Sequence, residues 1–196
     1  MPQNDDQPLD MRFNTAIDST YPTAADLLNS ASPFELGQIF RVFGEERFSS
    51  VLAKKVVEAR QGTILGTTGD FRRIVKEAFP QSSQSEKTKV VRRAFQAIRI
   101  AVNQELLSLQ QFMEDCPTQI MDTKKSRAEV KEDQPSLLMV ITFHSLEEKM
   151  VSQSFAKWKK MQLGDYGTKK PIEPSAEELE QNSKSHSAKL FSFLFN

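Results

Sequence analysis

The stretch from Val90 to Met113 constrains this chain most, because its apolar residues follow the period of an α-helix. With about 3.6 residues per turn, a helix places residues that recur at steps of three and four on one face. The residues that recur in this way are Val91, Phe95, Ile98, Val102, Leu106, Leu109 and Met113. The pattern predicts one long amphipathic helix that contributes to a core.

A second row of side chains accompanies this face. Arg92, Gln96, Arg99 and Asn103 each follow an apolar position by one residue, so they form a polar ridge turned by about 100° from the buried face. Guanidinium and amide groups in a row are typical of surfaces that contact phosphates, but a solvated helix flank has the same composition. The pattern alone favours the solvated flank.

The residue order in this helix resembles that of a known family. The segment from Arg93 to Leu106 is similar to the signature helix of the S-adenosylmethionine-dependent methyltransferases that modify the exocyclic amine of a cytosine in small-subunit ribosomal RNA. Further blocks resemble that family in the same order: Leu9–Arg12, Thr23–Asp26, Phe43–Arg47, Phe143–Glu147, Lys170–Ser175, Asn182 and Ser187–Leu190. These collinear blocks cover nearly the whole chain and resemble the carboxyl-terminal portion of the family.

The resemblance implies roles for particular residues. The RNA-binding residues would be Arg92, Arg93, Gln96, Arg99, Asn103, Lys184 and Lys189. A pocket for the target base would be lined by Asp10, His144, Ser145 and Glu147, although His144 could equally well only close a strand. Lys89–Arg92 and Ser183–His186 depart from the usual family sequences, which predicts attraction to phosphates rather than base-level specificity.

Composition restricts the remaining possibilities. The chain has 196 residues, and Lys plus Arg equals Asp plus Glu at 26 each, so attraction to RNA must come from local clusters. The single Cys116 and the distant His144 and His186 form no metal motif. No apolar run approaches the roughly 20 residues of a membrane span, and no targeting peptide is evident. The resemblance implies a bacterial cytoplasmic or a eukaryotic mitochondrial location, with small-subunit rRNA or the ribosomal subunit as partner and no DNA or membrane.

Changes in periodicity and composition along the chain predict that it consists of four parts. Residues 1–22 would be an amino-terminal segment and a remnant of the methyltransferase domain, and residues 23–114 a helical rRNA-recognition unit in which Glu45 and Glu46 open a helix. Residues 115–135 are rich in charge and poor in apolar residues, which predicts a flexible insertion. Residues 136–196 would be the carboxyl-terminal part of the methyltransferase domain.

The fourth part contains a continuous apolar run, Leu137–Phe143, which predicts a strand covered on both faces of a parallel sheet. Ser145–Glu148 would then cap a helix, and Ser187–Phe195 would form a terminal strand. The expected fold class is mostly α: a helical substrate-recognition unit followed by a remnant of a Rossmann-like α/β methyltransferase domain with one or two strands.

The cofactor half of the family precedes the block that begins at Leu9. Only eight residues stand before it here, whereas a nucleotide-binding α/β half needs roughly a hundred. No two of the seven glycines form a Gly-x-Gly turn. We therefore expect a truncated methyltransferase with no S-adenosylmethionine-binding residues and no activity as an isolated chain. An alternative is a non-catalytic RNA-binding or interaction module, and strands left without neighbours could associate through their edges.

Overall fold

A computed structural model describes residues 7–13, 21–128 and 135–196, with the side chains of residues 124–128 left out. The chain divides into two compact units, residues 1–105 and residues 106–196. The helices of the first unit are α1 (Ala24–Ser30), α2 (Pro33–Val42), α3 (Ser49–Gly62), α4 (Thr68–Glu77) and α5 (Gln84–Asn103).

Local capping chemistry sets the start of most of these helices. A hydroxyl accepts from the backbone N–H three residues on, and the acid at that position reaches back to the cap, in the boxes that begin at Thr23, Ser32, Thr67 and Ser83. The predicted box at Thr23 and the predicted cap at Ser32 are confirmed. Each box satisfies two backbone donors that the helix itself cannot pair.

The core of the first unit brings the apolar faces of all five helices together. Phe71 lies between Phe40 of α2 and Phe95 of α5, with ring centroids 6.2 and 5.0 Å away. Gly44 allows the end of α2 to approach α5, since a Cβ there would lie 3.0 Å from the carbonyl oxygen of Arg93 and 3.2 Å from Cβ of Ala97. Helix α5 therefore contributes to the core, as the apolar period predicts.

The prediction of one continuous helix from Val90 to Met113 is wrong, because the structure has two helices there. Helix α5 ends at Asn103, Gln104 adopts a left-handed conformation with φ of 51°, and α6 (Glu105–Ala128) begins at once. The apolar residues are divided accordingly. Val91, Phe95, Ile98 and Val102 belong to the first core, while Leu109 and Met113 pack in the second. The apolar period continues across the break because each helix has its own buried face.

Two further predictions about helix bounds need correction. Glu45 and Glu46 do not lie in the first turn of a helix, because α3 begins only at Ser49. The Glu46 side chain is buried. Helix α6 extends through residues 115–128 of the predicted flexible insertion, with Pro117 inside it and Cys116 buried. The remainder of that insertion, apart from Pro135, lies outside the described residues.

The second unit contains a three-stranded antiparallel sheet with the order β1-β3-β2, formed by β1 (Ser136–Thr142), β2 (Gly164–Tyr166) and β3 (Lys189–Phe195). The two predicted strands pair with each other along their whole length, from Ser136 with Phe195 to Thr142 with Lys189. The expectation of a parallel sheet, and of strands without neighbours, is therefore wrong for this pair. The predicted fold class, mostly helical with a small strand remnant, is confirmed.

One face of the sheet packs against α7 (Ser145–Lys160). Val151, Phe155 and Trp158 of this helix are buried with Phe193 and Phe195 of β3. The opposite face of β1 is open: Leu137, Met139 and Ile141 are 55, 59 and 58% exposed. The prediction of a strand covered on both faces is thus wrong for the described residues. The unit also contains α8 (Ala176–Gln181) and a 3₁₀ helix (Ser183–Ser187).

None of the helices that the structure describes combines the length and apolar character needed to cross a membrane.

Candidate functional site

The amino-terminal block Leu9–Arg12 is fixed to the first unit by backbone bonds. Leu9 is buried and its N–H donates to the carbonyl of Gly66 at 2.9 Å, while the carbonyl of Asp10 accepts from Ala24 N–H at 2.8 Å. The Asp10 carboxylate accepts two hydrogen bonds from the Arg12 guanidinium, at 2.6 and 2.7 Å. These bonds hold the pKa of Asp10 below its ordinary value. Asp10, a predicted pocket residue, is therefore a paired carboxylate.

Asn103 connects this block to α5. Its Nδ2 donates to the carbonyl oxygen of Met11 at 2.8 Å, and its Oδ1 accepts from Phe13 N–H at 2.8 Å. The same Nδ2 lies 2.9 Å from the carbonyl of Arg99, which fixes the side chain on its own helix. Met11 has a φ of 63°, a conformation uncommon for a residue with a Cβ. The structure thus brings Asn103 of the polar ridge and the amino-terminal block together.

The other predicted RNA-binding residues of α5 differ in how far they are engaged within the unit. Arg93 pairs with the buried Glu46 at 2.5 Å, and Gln96 donates to the carbonyl of Phe43 at 3.2 Å. Arg99 makes a bidentate pair with Glu105, at 2.9 and 3.0 Å. Arg92 is exposed and has no ion pair among the described residues.

This arrangement distinguishes the three arginines of α5 by their available charge. Carboxylates offset the charges of Arg93 and Arg99, whose side chains are 39 and 38% exposed. Arg92 therefore carries the charge that a phosphate would meet first. Glu46 and Glu105 were not among the predicted site residues, because no sequence spacing links them to their partners.

The predicted pocket residues of the second unit lie together where β1 passes into α7. His144 rather than Ser145 caps the helix, with Nδ1 accepting from Glu147 N–H at 3.4 Å. The Glu147 carboxylate accepts from the backbone N–H groups of Phe143 and His144, at 2.7 and 3.3 Å. Ser145 is exposed in the first turn of α7, at the end of the helix that favours negative charge. The predicted cap is thus displaced by one residue.

The two predicted RNA-binding lysines of this unit occupy different environments. Lys184 is exposed on the 3₁₀ helix. Lys189 pairs with Glu148 of α7 at 2.8 Å, and the Glu148 carboxylate raises the pKa of Lys189. Because Lys189 is also the strand partner of Thr142, it lies at the end of β1 from which the pocket residues follow. The structure therefore groups Lys189 with His144, Ser145 and Glu147.

Comparisons with known proteins give a consistent result. Residues 3–195 match the model of the MraW methylase family. The protein named ribosomal RNA small subunit methyltransferase H from Symbiobacterium thermophilum is 37% identical over 201 residues, which cover 94% of this chain and 58% of that protein. The protein of the same name from a Cyanothece species is 40% identical over 185 residues, covering 94 and 55%. The chain spans little more than half the length of these relatives, and it belongs to the MraW methylase family.

Proposed function

We propose that this chain forms the RNA-recognition and carboxyl-terminal part of an S-adenosylmethionine-dependent methyltransferase that acts on the exocyclic amine of a cytosine in small-subunit ribosomal RNA. The observation that carries this proposal is the family match over residues 3–195, together with relatives named as ribosomal RNA small subunit methyltransferases. A match over nearly the whole chain includes both units, so both would serve the same function.

The packing of the first unit supports this proposal. The blocks at Leu9–Arg12 and Arg93–Leu106 are far apart in sequence, but Asn103 joins them through Met11 and Phe13. Two segments that resemble the family therefore form one surface. Arg92 on the same helix offers an exposed cation, and phosphate contacts of this kind position an RNA without reading its sequence.

In the second unit, the group at the start of α7 would line the pocket for the target base. The Ser145 side chain is exposed, while His144 and Glu147 are held in place by capping bonds. A polar group fixed by its own hydrogen bonds can orient a base edge without further rearrangement. Lys189, next to this group, would contact the adjacent phosphate on exchanging its ion pair with Glu148.

The described residues do not fit the cofactor itself. A Rossmann-like nucleotide site needs a glycine-rich turn after a parallel strand, which allows the backbone to approach the ligand. Among the described residues, all three strands pair antiparallel and no glycine has a positive φ.

Binding of a small-subunit rRNA fragment tests the proposal, measured by fluorescence anisotropy at several salt concentrations, with a DNA duplex of equal length for comparison. We expect salt-dependent binding to the RNA. Arg92→Glu should weaken binding and reduce the slope of log K against log salt by about 1. Arg41→Glu is the control, because it makes the same change of charge on the exposed side of α2. Binding that is independent of salt, or equal weakening by both variants, would contradict the proposal.

A calorimetric titration with S-adenosylmethionine addresses the cofactor directly. We expect no one-to-one isotherm in the micromolar range for the 196-residue chain, and no methyl transfer to the rRNA fragment. A clear isotherm would show that the described residues form a cofactor site of another geometry. RNA binding without cofactor binding agrees with the proposal. Cofactor binding without RNA binding contradicts it.

A further inference from the structure

The end of α7 and the residues after β2 carry a dense group of cations. Between residues 149 and 170 there are six lysines and a single acid, Asp165, although the whole chain has a net charge of zero. We call Lys157, Lys160, Lys169 and Lys170 the lysine surface, and all four are exposed. None of these residues was among the sequence-predicted RNA contacts, although the run of lysines was a visible signal.

The two halves of the lysine surface are carried by elements that contact each other, α7 and the chain around β2. Lys159, in the last turn of α7, donates to Asp165 of β2 at 2.5 Å, and its Nζ lies 5.0 Å from the centre of the Tyr166 ring. The end of α7 that carries Lys157 and Lys160 is therefore adjacent to β2. Lys169 and Lys170 follow that strand after only two intervening residues.

The loop that carries Lys169 and Lys170 is fixed to β3. Gly167 N–H donates to the carbonyl of Ser192 at 2.9 Å, and the Thr168 hydroxyl donates to the carbonyl of Lys170 at 2.8 Å. A Cβ at Gly167 would lie only 2.7 Å from the Ser192 hydroxyl, so the loop is closely packed there. The lysines are thus presented by an anchored backbone.

None of the four lysines of this surface forms an ion pair with another residue that the structure describes. The one acid in the stretch, Asp165, is paired with Lys159, whose hydrogen bond lowers the pKa of Asp165. The helix dipole favours lysines in the last turn of α7, which accounts for Lys157 and Lys160. It does not account for Lys169 and Lys170, which lie beyond β2. An excess of exposed positive charge in one part of the chain favours an anionic partner.

We propose that the lysine surface binds the phosphate backbone of RNA, as a contact separate from the polar ridge of the first unit. Lysine ammonium groups contact phosphates as point charges and add to affinity without reading bases. A membrane is the less suitable partner, because the buried apolar residues of α7, Val151, Phe155 and Trp158, cannot enter a bilayer. The inference rests on the proposed function, since it takes RNA as the ligand.

The test compares two triple variants of the 196-residue chain with the same small-subunit rRNA fragment. Lys160→Gln/Lys169→Gln/Lys170→Gln removes three charges from the lysine surface. Lys54→Gln/Lys55→Gln/Lys76→Gln removes the same number from α3 and α4. If each lysine of the surface contacts one phosphate of a single strand, the first variant lowers the slope of log K against log salt by about 2. The second variant should bind as the wild type does.

The outcomes separate this inference from the proposed function. Equal effects of the two triple variants, with wild-type binding intact, overturn the inference and leave the proposed function standing. A wild-type chain that binds no RNA overturns both. Binding to phosphatidylserine vesicles that the first variant loses, without any change in its RNA binding, assigns the surface to membranes and overturns the inference. Circular dichroism of each variant establishes that its helices are retained.

Discussion

The side chain of Asn103 holds the backbone of Met11, with its Nδ2 2.8 Å from the Met11 carbonyl oxygen. Its Oδ1 accepts from Phe13 N–H, so one amide satisfies a donor and an acceptor of the same segment. Asn103 and Met11 are separated by 92 positions in sequence. Together with the buried side chain of Leu9, these bonds fix the amino-terminal segment to the first unit.

We expect Asn103→Ala to lower the free energy of unfolding of the first unit by about 1–2 kcal/mol, because two backbone groups lose their partners. Hydrogen exchange at Phe13 N–H should become faster, since this N–H donates to the substituted side chain. Gln61→Ala, at an exposed position of α3, is the control and should leave both measurements unchanged. Unchanged exchange at Phe13 in the Asn103 variant would show that other contacts hold the segment.

We expect Glu46→Ala to lower the free energy of unfolding, measured with urea, by about 2–3 kcal/mol. The Glu46 side chain is 2% exposed, and its carboxylate accepts from Arg93 and from Phe48 N–H. Removing one partner of a buried pair costs up to about 5 kcal/mol, and the half-exposed Arg93 reduces that value here. Arg92→Ala is the control, because Arg92 is exposed and directly precedes Arg93 in the sequence. It should change the free energy of unfolding by less than about 0.5 kcal/mol. A double-mutant cycle with Arg93→Ala would give no coupling if the pair were unimportant.

The stability of the first unit should fall in acid. Hydrogen bonds from Thr23, Ser32 and Ser83 hold the pKa values of Asp26, Glu35 and Glu86 below their ordinary values of 3.8, 4.5 and 4.5. A carboxyl group whose pKa is lower in the native state than in the unfolded chain stabilises the fold at pH values above its unfolded pKa. This stabilisation is lost as the pH falls through the native pKa. The thermal midpoint should therefore be constant above about pH 5 and decrease towards pH 3.

Substitution of two capping acids tests this assignment. Glu35→Gln/Glu86→Gln should flatten the decrease of the thermal midpoint between pH 5 and pH 3, because the two groups no longer take up protons on unfolding. Glu58→Gln/Glu77→Gln removes two exposed carboxylates that cap no helix, and it should retain the slope. Identical pH profiles for both variants would exclude the capping acids as the cause.

The open face of β1 should promote self-association. Leu137, Met139 and Ile141 are exposed on one face, and the strand contains no charge or proline to discourage pairing at its edge. Met139→Lys should weaken association by about tenfold in sedimentation equilibrium, since burial of a methionine contributes about 1.5 kcal/mol or more. Gln153→Lys adds the same charge to the exposed side of α7 and should have no effect. Equal behaviour of the two variants would place the interface elsewhere.

Local features were the ones that the sequence predicted well. The box at Thr23 and the cap at Ser32 depend on residues within four positions of each other, and both are as expected. The break at Gln104 was not predicted, because the apolar period continues into α6 although the buried residues belong to another core. The sequence did not predict the helix over residues 115–128, because this stretch is rich in charged residues. The spacing of Met113 and Cys116, which lie on one buried face, was the signal for it.

Long-range pairing explains the remaining differences. The apolar run at 137–143 predicts a strand, but only its pairing with β3 and the packing of α7 determine which face is covered. Glu46 and Glu105 offset the charges of two predicted RNA contacts, Arg93 and Arg99. The Arg93 pair joins residues 47 positions apart, and no periodicity reveals it. The roles of the candidate residues in RNA and base binding stay predictions.

The cap at His144 has a consequence for its proton. Because Nδ1 accepts from Glu147 N–H, the neutral imidazole carries its hydrogen on Nε2, which lies 3.3 Å from a Glu147 carboxylate oxygen. This tautomer has its only basic lone pair committed to the start of α7. Protonation of Nδ1 would therefore remove the cap from the first turn of α7.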